Sequence, residues 1–205
     1  MIETVGTLVQ PSLRHCSRIA AMVSEAMADD PLDSYFFPFP ERRRELLYFL
    51  FRPLVAYGIR QGNLLATSHR HEGIAYWQTP SDMPWRGAGS LLWGGLRLLG
   101  MAGLSAIRRM YRASLFGYQL RKRLLPGPHW YLGLLAVAPE RQGEGHAGAL
   151  LRPVLELARR QRLPCYLETN KQANVPIYEH FGFRIAEQVE VPRSGVLQWC
   201  MVRDF

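Results

Sequence analysis

Cysteine is scarce in this 205-residue chain: Cys16, Cys165 and Cys200 make an odd number, and no two form a Cys-x-x-Cys pair. That argues against a disulfide framework and for free thiols in a reducing cytoplasm. Runs of one charge are also lacking. No block exceeds three residues, as in Arg42-Arg43-Arg44, so the net charge of +8 is not gathered into a basic tail. No nucleic-acid recognition motif accompanies the excess, and nucleic acid is not an expected partner. The start, Met1-Ile2-Glu3-Thr4, lacks the charged and apolar segments of a secretory leader, which again points to the cytoplasm. Only one long apolar stretch exists, residues 87–107, broken by Ser90, Arg97 and Ser105. Its length approaches a membrane span, but Arg97 sits at its middle, where a charge is costly. Stable membrane insertion is therefore not expected; the stretch reads as a helix packed over the core or over a pocket. Surface binding by residues 87–112, where apolar residues lead into Arg108, Arg109 and Arg112, stays open.

What is present suits one soluble globular domain, 1–205, with a generous insertion: 48% hydrophobic and 20% charged residues, and enough length to bury a core without metals. Helical spacing of Ile19, Ala20, Val23 and Met27 predicts a helix over 13–27, stopped at Asp29-Asp30-Pro31 because the residue before proline avoids the helical region. An aromatic loop over 35–40 and a helix over 41–61 follow, with Pro53 as a kink and Gly62-Asn63 as the stop. Short strands are predicted at 64–67 and 73–78 around a polar turn, then an inserted helical region at about 83–125. The apolar run 130–137 reads as a central strand buried on both faces. Leu150, Leu151, Val154, Leu155 and Ala158 stripe a helix over 146–162 despite Pro153. A strand at 165–168, a short helix at 175–181 closed by Gly182, and strands at 184–191 and 196–202 complete the chain.

The chemistry is concentrated between the strand and the helix, in Pro139-Glu140-Arg141-Gln142-Gly143-Glu144-Gly145-His146-Ala147. Glycines let backbone approach a ligand, and a helix start offers unpaired N–H groups with positive dipole potential, a setting for a pyrophosphate. A Gly-x-Gly ahead of a helix is weak alone, since a glycine turn without a ligand looks the same. The two best-known phosphate loops do not fit: there is no Gly-Lys-Ser/Thr, and the dinucleotide fingerprint lacks its third glycine.

The segment resembles instead the acetyl-CoA signature Gln/Arg-x-x-Gly-x-Gly/Ala of the GNAT acetyltransferases, with Gln142, Gly145 and Ala147 at its fixed places. Leu135-Ala136-Val137-Ala138-Pro139-Glu140, Leu167-Glu168-Thr169, Asn174, Tyr178 and Gly182-Phe183 are similar to that family in order and spacing. The likeness is specific over about 129–205 and looser before it. Within the family, Val189-Glu190-Val191-Pro192 and Trp199-Cys200-Met201 resemble the puromycin N-acetyltransferase branch, whereas 83–125 does not.

The resemblance implies an α/β (α+β) fold: a mixed, mostly antiparallel sheet with a V-shaped splay between two central parallel strands and helices on both faces. It implies acetyl-CoA as co-substrate, no metal, and a small-molecule amine as acceptor. A protein or peptide acceptor, or a non-enzymatic CoA-binding module, remain the alternatives. Family members are often dimers, so a homodimer is allowed. By carry-over, Leu135, Ala136 and Val137 hold the pantetheine through their backbone, and Gln142, Gly143, Glu144, Gly145, His146 and Ala147 hold the pyrophosphate. Asn174 bonds the cofactor arm, and Tyr178 protonates the departing thiolate. An alkylammonium, with a pKa near ~10, must lose a proton before it attacks. Glu168 is the first candidate base, with a structural carboxylate bonded to backbone as its other reading; Asp29 or Asp30 reads as a loop-end helix cap, with a place facing the acceptor as the other reading. His146 reads as a surface histidine of the first helical turn, and His129 and Tyr131 as core. His69 and His71 share a face if extended, but two ligands make no metal site.

Overall fold

A computed structural model describes residues 8–80 and 88–205, with the side chains of 88–96 left out. The start of the chain, the head of the inserted region with Trp85, and the side chain of Trp93 thus lie outside the described residues. Six strands form one sheet in the order β1-β2-β3-β4-β6-β5. They are β1 (Leu64–Ala66), β2 (Gly73–Gln78), β3 (Trp130–Val137), β4 (Cys165–Thr169), β5 (Arg184–Glu190) and β6 (Leu197–Arg203). Every neighbouring pair is antiparallel except β3 and β4.

Helices cover both faces. On one side lie α1 (Cys16–Ala26) and α3 (Pro40–Gln61), whose Ile19, Val23, Leu47 and Val55 meet Leu64, Ile74 and Tyr76 of the sheet. On the other lies α5 (His146–Gln161), burying the predicted stripe of Leu150, Leu151, Val154, Leu155 and Ala158 against Trp77, Leu132 and Met201. Pro53 and Pro153 are both carried inside helices. Gly62 ends α3 in the left-handed region at φ 68°, where a side chain would be strained. Two shorter helices, α2 (Pro31–Phe36) and α6 (Val175–His180), stand at the ends of the site strands.

Helix α2 takes Tyr35 and Phe36 from the expected aromatic loop, which is left at residues 37–39. Asp30-Pro31 stops one helix and starts the next: the Asp30 carboxylate accepts from the N–H groups of Leu32 and Asp33, and Pro31 takes the first turn, where no N–H is needed. The inserted region is α4 (Ala88–Leu124), broken at Gly103 (φ 76°, ψ 169°) and laid against α3. No helix among the described residues is long and apolar enough to cross a membrane.

Strand β3 departs from the expectation of burial on both faces: its residues alternate between buried and half-buried. A bulge also interrupts its pairing with β2. Trp77 pairs with Leu132 and Tyr76 with Leu134, so Gly133 is left over. The extra residue reverses which side the strand presents. Trp130 and Leu132 pack toward α5, whereas Leu134 and Ala136 pack toward α1 and α3. A Cβ on residue 133 would stand 3.1 Å from the Tyr76 ring, a tight contact that glycine avoids. Past that point β3 has no pairing with β4, whose partners end at Leu132 with Leu167. The two parallel strands separate, and the half-buried side of β3 faces the gap.

Candidate active site

The gap between β3 and β4 opens into a cavity of about 780 Å³. Its walls are the free half of β3, the end of β4, the first turn of α5, and α6. Leu135, Ala136, Val137, Gln142, Gly143, Gly145, His146, Ala147, Glu168, Asn174 and Tyr178, all expected from the sequence, line this one cavity. Glu144 is brought to its rim but does not line it; its carboxylate pairs with Arg141 at 2.8 Å.

The loop before α5 is shaped for an anion. Gly143 and Gly145 both sit at φ 86°, and no side chain caps the helix. The first-turn N–H groups of α5 have no helical acceptor and point along the dipole toward the cavity end. Gln142 ties the loop to its strand by donating from Nε2 to the Val137 carbonyl at 3.3 Å. His146 departs from the surface reading. Its side chain is only 18% exposed, its Cβ lies against Gly73, and Nε2 stands 3.5 Å from the Glu144 carboxylate.

Two groups at the splay can move protons. Tyr178 is buried at the cavity wall, with its ring edge-on to Phe183, and no group among the described residues bonds its hydroxyl. Burial, and then the nearby Asp30 charge, push its phenol well above the ordinary range, so it holds its proton. Glu168 accepts from the Tyr131 hydroxyl at Oε2 and the Tyr166 hydroxyl at Oε1, both at 3.0 Å. Its hydrogen bonds thus come from tyrosines, not from backbone, and Tyr131, packed against a core cluster as expected, also reaches the Glu168 carboxylate. Burial raises the Glu168 carboxyl, opposed by the Tyr131 donor, the Arg121 charge and the Tyr166 donor. Arg121 stacks on Tyr131 at 4.0 Å, and a Cβ placed on Gly117 of the same helix would lie 3.5 Å from Glu168 Oε1. The inserted α4 thereby reaches the site.

Asp30 both caps α2 and lines the cavity, so the two readings of this residue hold together. Burial raises its carboxyl against the N–H groups of Leu32 and Asp33. Asp33, 8% exposed, is raised further by burial and by Asp30, with Lys171 and Arg43 opposing. Asn174 donates to Thr169 Oγ1 at 3.2 Å, leaving its carbonyl oxygen uncommitted. His69 and His71 lie in a turn, not a strand: His69 is exposed, and His71 is buried with φ 61°. No cluster of three metal-ligating side chains occurs among the described residues.

A splayed parallel pair in a mostly antiparallel sheet, with an uncapped helix start at the mouth of the splay, defines an acyl-CoA transferase-like class of fold. The family model for the Acetyltransferase (GNAT) family matches residues 25–183, and the chain belongs to that family. An uncharacterised N-acetyltransferase of Schizosaccharomyces pombe is 36% identical over 66 residues, a stretch that spans 32% of this chain and only 27% of that protein. Three solved structures share the fold. A histone acetyltransferase HPA2 and related acetyltransferase from Corynebacterium glutamicum is 21% identical with a TM-score of 0.63, covering 97% of this chain and 95% of that one. The arylalkylamine N-acetyltransferase 2 of Aedes aegypti is 11% identical with a TM-score of 0.60, covering 96% and 97%. The C-terminal condensation domain of Ebony, in complex with β-alanyl-dopamine, is 10% identical with a TM-score of 0.64, covering 97% and 98%.

Proposed function

We propose that the protein transfers an acetyl group from acetyl-CoA to a primary amine of a small molecule by direct attack. The observation that carries this reading is the meeting, in one cavity, of an uncapped helix start, an unpaired strand edge, a tyrosine that keeps its proton and a carboxylate raised by burial. The N–H groups from Gln142 to Ala147 suit the pyrophosphate of the co-substrate. The free backbone of Leu135 to Val137 suits the amide groups of the pantetheine, which would add to the sheet as a strand does. Asn174 would bond the same arm.

In the reaction the amine nitrogen attacks the thioester carbonyl, the C–N bond forms and the C–S bond breaks. Glu168 takes the proton that the ammonium must lose, directly or through water, and Tyr178 gives its hydroxyl proton to the leaving sulfur; the second proton, shed by the nitrogen once the C–N bond has formed, restores the Tyr178 hydroxyl through water. A carboxyl raised by desolvation is a better base than an ordinary one at neutral pH. Asp30 stands in the same cavity and supplies negative charge for a cationic acceptor. The C-terminal likeness to puromycin N-acetyltransferases suggests an aminonucleoside-like or other toxic amine. We read the chain as a single domain, with α4 and the residues before it, about 83–125, as the inserted wall of the acceptor side.

The test is free-thiol release from acetyl-CoA against a panel of amines that includes puromycin, with acetyl-CoA binding measured in parallel. Turnover with a small amine supports the proposal. Binding without turnover on any small amine, but transfer to peptides, would replace it with the protein-acceptor reading.

A further inference from the structure

The inserted region carries a charge imbalance that the active site does not use. No Asp or Glu occurs between Asp82 and Glu140, and within that span α4 holds six arginines and Lys122. Four of those arginines have a place in the fold. Arg109 donates from Nη2 to the Phe36 carbonyl at 2.7 Å, and Arg97 stacks on Phe49 at 4.1 Å. Arg121 stacks on Tyr131, and Arg123 pairs with Glu187 at 2.7 Å. Arg108, Arg112 and Lys122 remain, exposed and, among the described residues, without a carboxylate partner. Other helices match their exposed arginines: Arg44 of α3 pairs with Glu25 at 2.7 Å, and Arg159 and Arg160 of α5 pair with Glu156 at 2.9 and 3.0 Å.

The three cations share their face with apolar side chains. Beyond the break at Gly103, Leu104, Arg108, Tyr111, Leu115 and Lys122 recur at helical spacing, with Arg112 beside them. Leu104 is 51% exposed and Tyr111 61%, Leu115 is half-buried, and the uncharged Gln119 completes the stripe. The opposite face is taken up by the protein itself. Ala106, Met110 and Ala113 belong to the core beneath α1 and α3, and Leu120 and Leu124 pack with Tyr166 and Val202. The outer leucines and tyrosine are therefore surplus to the core, and they alternate with unpaired cations.

Chemistry decides what such a face can meet. A second copy docked face to face would set Arg108 and Arg112 against like charges, with no carboxylate on the helix to relieve them. A nucleic-acid backbone would pair the cations but leave Leu104 and Leu115 against phosphates. An anionic bilayer surface matches both sets: headgroups take the guanidinium and ammonium groups, and the acyl boundary takes the apolar side chains. We propose that the outward face of α4 from Leu104 to Lys122 docks on an anionic lipid surface, the helix lying along it while its other face stays packed in the protein. The proposal does not rest on acetyl transfer, and its test reads partition, not turnover.

Flotation would be measured with vesicles of phosphatidylcholine alone and of phosphatidylcholine with roughly a third phosphatidylserine, at low and high salt. The proteins are wild type, Arg108→Gln/Arg112→Gln, Leu104→Ser/Tyr111→Ser, and Arg159→Gln/Arg160→Gln, which removes the same charge from α5. Every replaced side chain is exposed, thermal melts check folding, and either α4 variant carries the test if the other melts early. Wild type is expected to float with the anionic vesicles only, and less at high salt. Partition falls about twentyfold in Arg108→Gln/Arg112→Gln, at about fivefold per cation near the surface. It falls about three- to tenfold in Leu104→Ser/Tyr111→Ser, and less than about twofold in the α5 variant. No flotation of wild type at low salt would overturn the proposal. An equal loss in the α5 variant would do so by showing that net charge alone drives binding. Flotation unchanged in a folded Leu104→Ser/Tyr111→Ser, or a preference for duplex DNA over anionic vesicles, would overturn it as well.

Discussion

Removing the Tyr131 hydroxyl tests the proposed base without touching the glycine loop. Tyr131→Phe keeps the ring on which Arg121 stacks at 4.0 Å and deletes one bond, the 3.0 Å donation to Glu168 Oε2. A hydrogen bond to a charged group contributes about 1.5–3 kcal/mol, and the Tyr166 donor at 3.0 Å remains. The deletion disfavours the ionised carboxylate, because burial already raises Glu168 and one of the groups opposing that rise is gone. A base must be ionised to act. On the acid side of the pH profile, kcat/KM for an amine therefore falls roughly tenfold for each 1.4 kcal/mol, while the plateau at higher pH changes little. The acid limb moves to higher pH. The stability linkage follows the same sign. A carboxyl raised in the folded state binds more protons there than in the unfolded chain, so stability declines as pH climbs from the ordinary carboxylate range through the raised value. The loss is steeper in Tyr131→Phe. The assay is thiol release over a pH series, with thermal melts at matched pH. A profile lowered uniformly, with its limb in place, would show that Tyr131 only packs and that Glu168 is not the titrating base.

Tyr178→Phe should lower kcat by about a hundredfold or more, as expected for loss of a general acid. The Kd for acetyl-CoA, by calorimetry, should stay within about threefold, since no described group depends on that hydroxyl. Gly145→Ala meets open space at its Cβ but is forced to keep φ 86°, at a cost of about 1–2 kcal/mol for an L residue. Acetyl-CoA affinity should drop about five- to thirtyfold, and an unchanged Kd would remove the loop from the site. Gly58→Ala, far from the cavity, would put a Cβ 2.9 Å from the Tyr76 ring and 3.2 Å from Leu64. It should cost about 1–3 kcal/mol, seen as a melting shift of roughly 2–4 °C per kcal/mol, with KM for acetyl-CoA preserved.

Much of this site was legible because local signals and tertiary structure agree there. The apolar run 130–137 is β3 to the residue, and Gly62 and Gly182, at φ 68° and 82°, end helices where expected. Elsewhere one signal carried two meanings. Asp30-Pro31 reads as a stop by the restriction before proline, yet the same pair is a cap followed by a first-turn proline. The continuous apolar character of β3 suggested burial on both faces, but part of it serves a ligand gap. Gly133 was the available clue, a glycine inside a strand being a common sign of a bulge. Tyr166 and Glu168 alternate onto one face of β4, but nothing local foretold that Tyr131 would reach the same carboxylate, since β3 and β4 are distant in sequence and meet only in the fold.

The division of the cavity follows from that history of signals. The half that suits the co-substrate is built from a strand end, a turn and a helix start contiguous in sequence, so its chemistry is visible as a motif. The other half draws on Met27 and Asp30 at the junction of α1 and α2, and on Gly117 and Arg121 of α4 behind Glu168. Those residues run from Met27 to Arg121 in the sequence and carry no motif. Substrate choice within this fold therefore falls to the segments least constrained by the cofactor. Replacement of Arg121 should alter the pH dependence of transfer before it alters acetyl-CoA affinity, because Arg121 bears on the carboxylate whereas the proposed acetyl-CoA site is at the α5 loop.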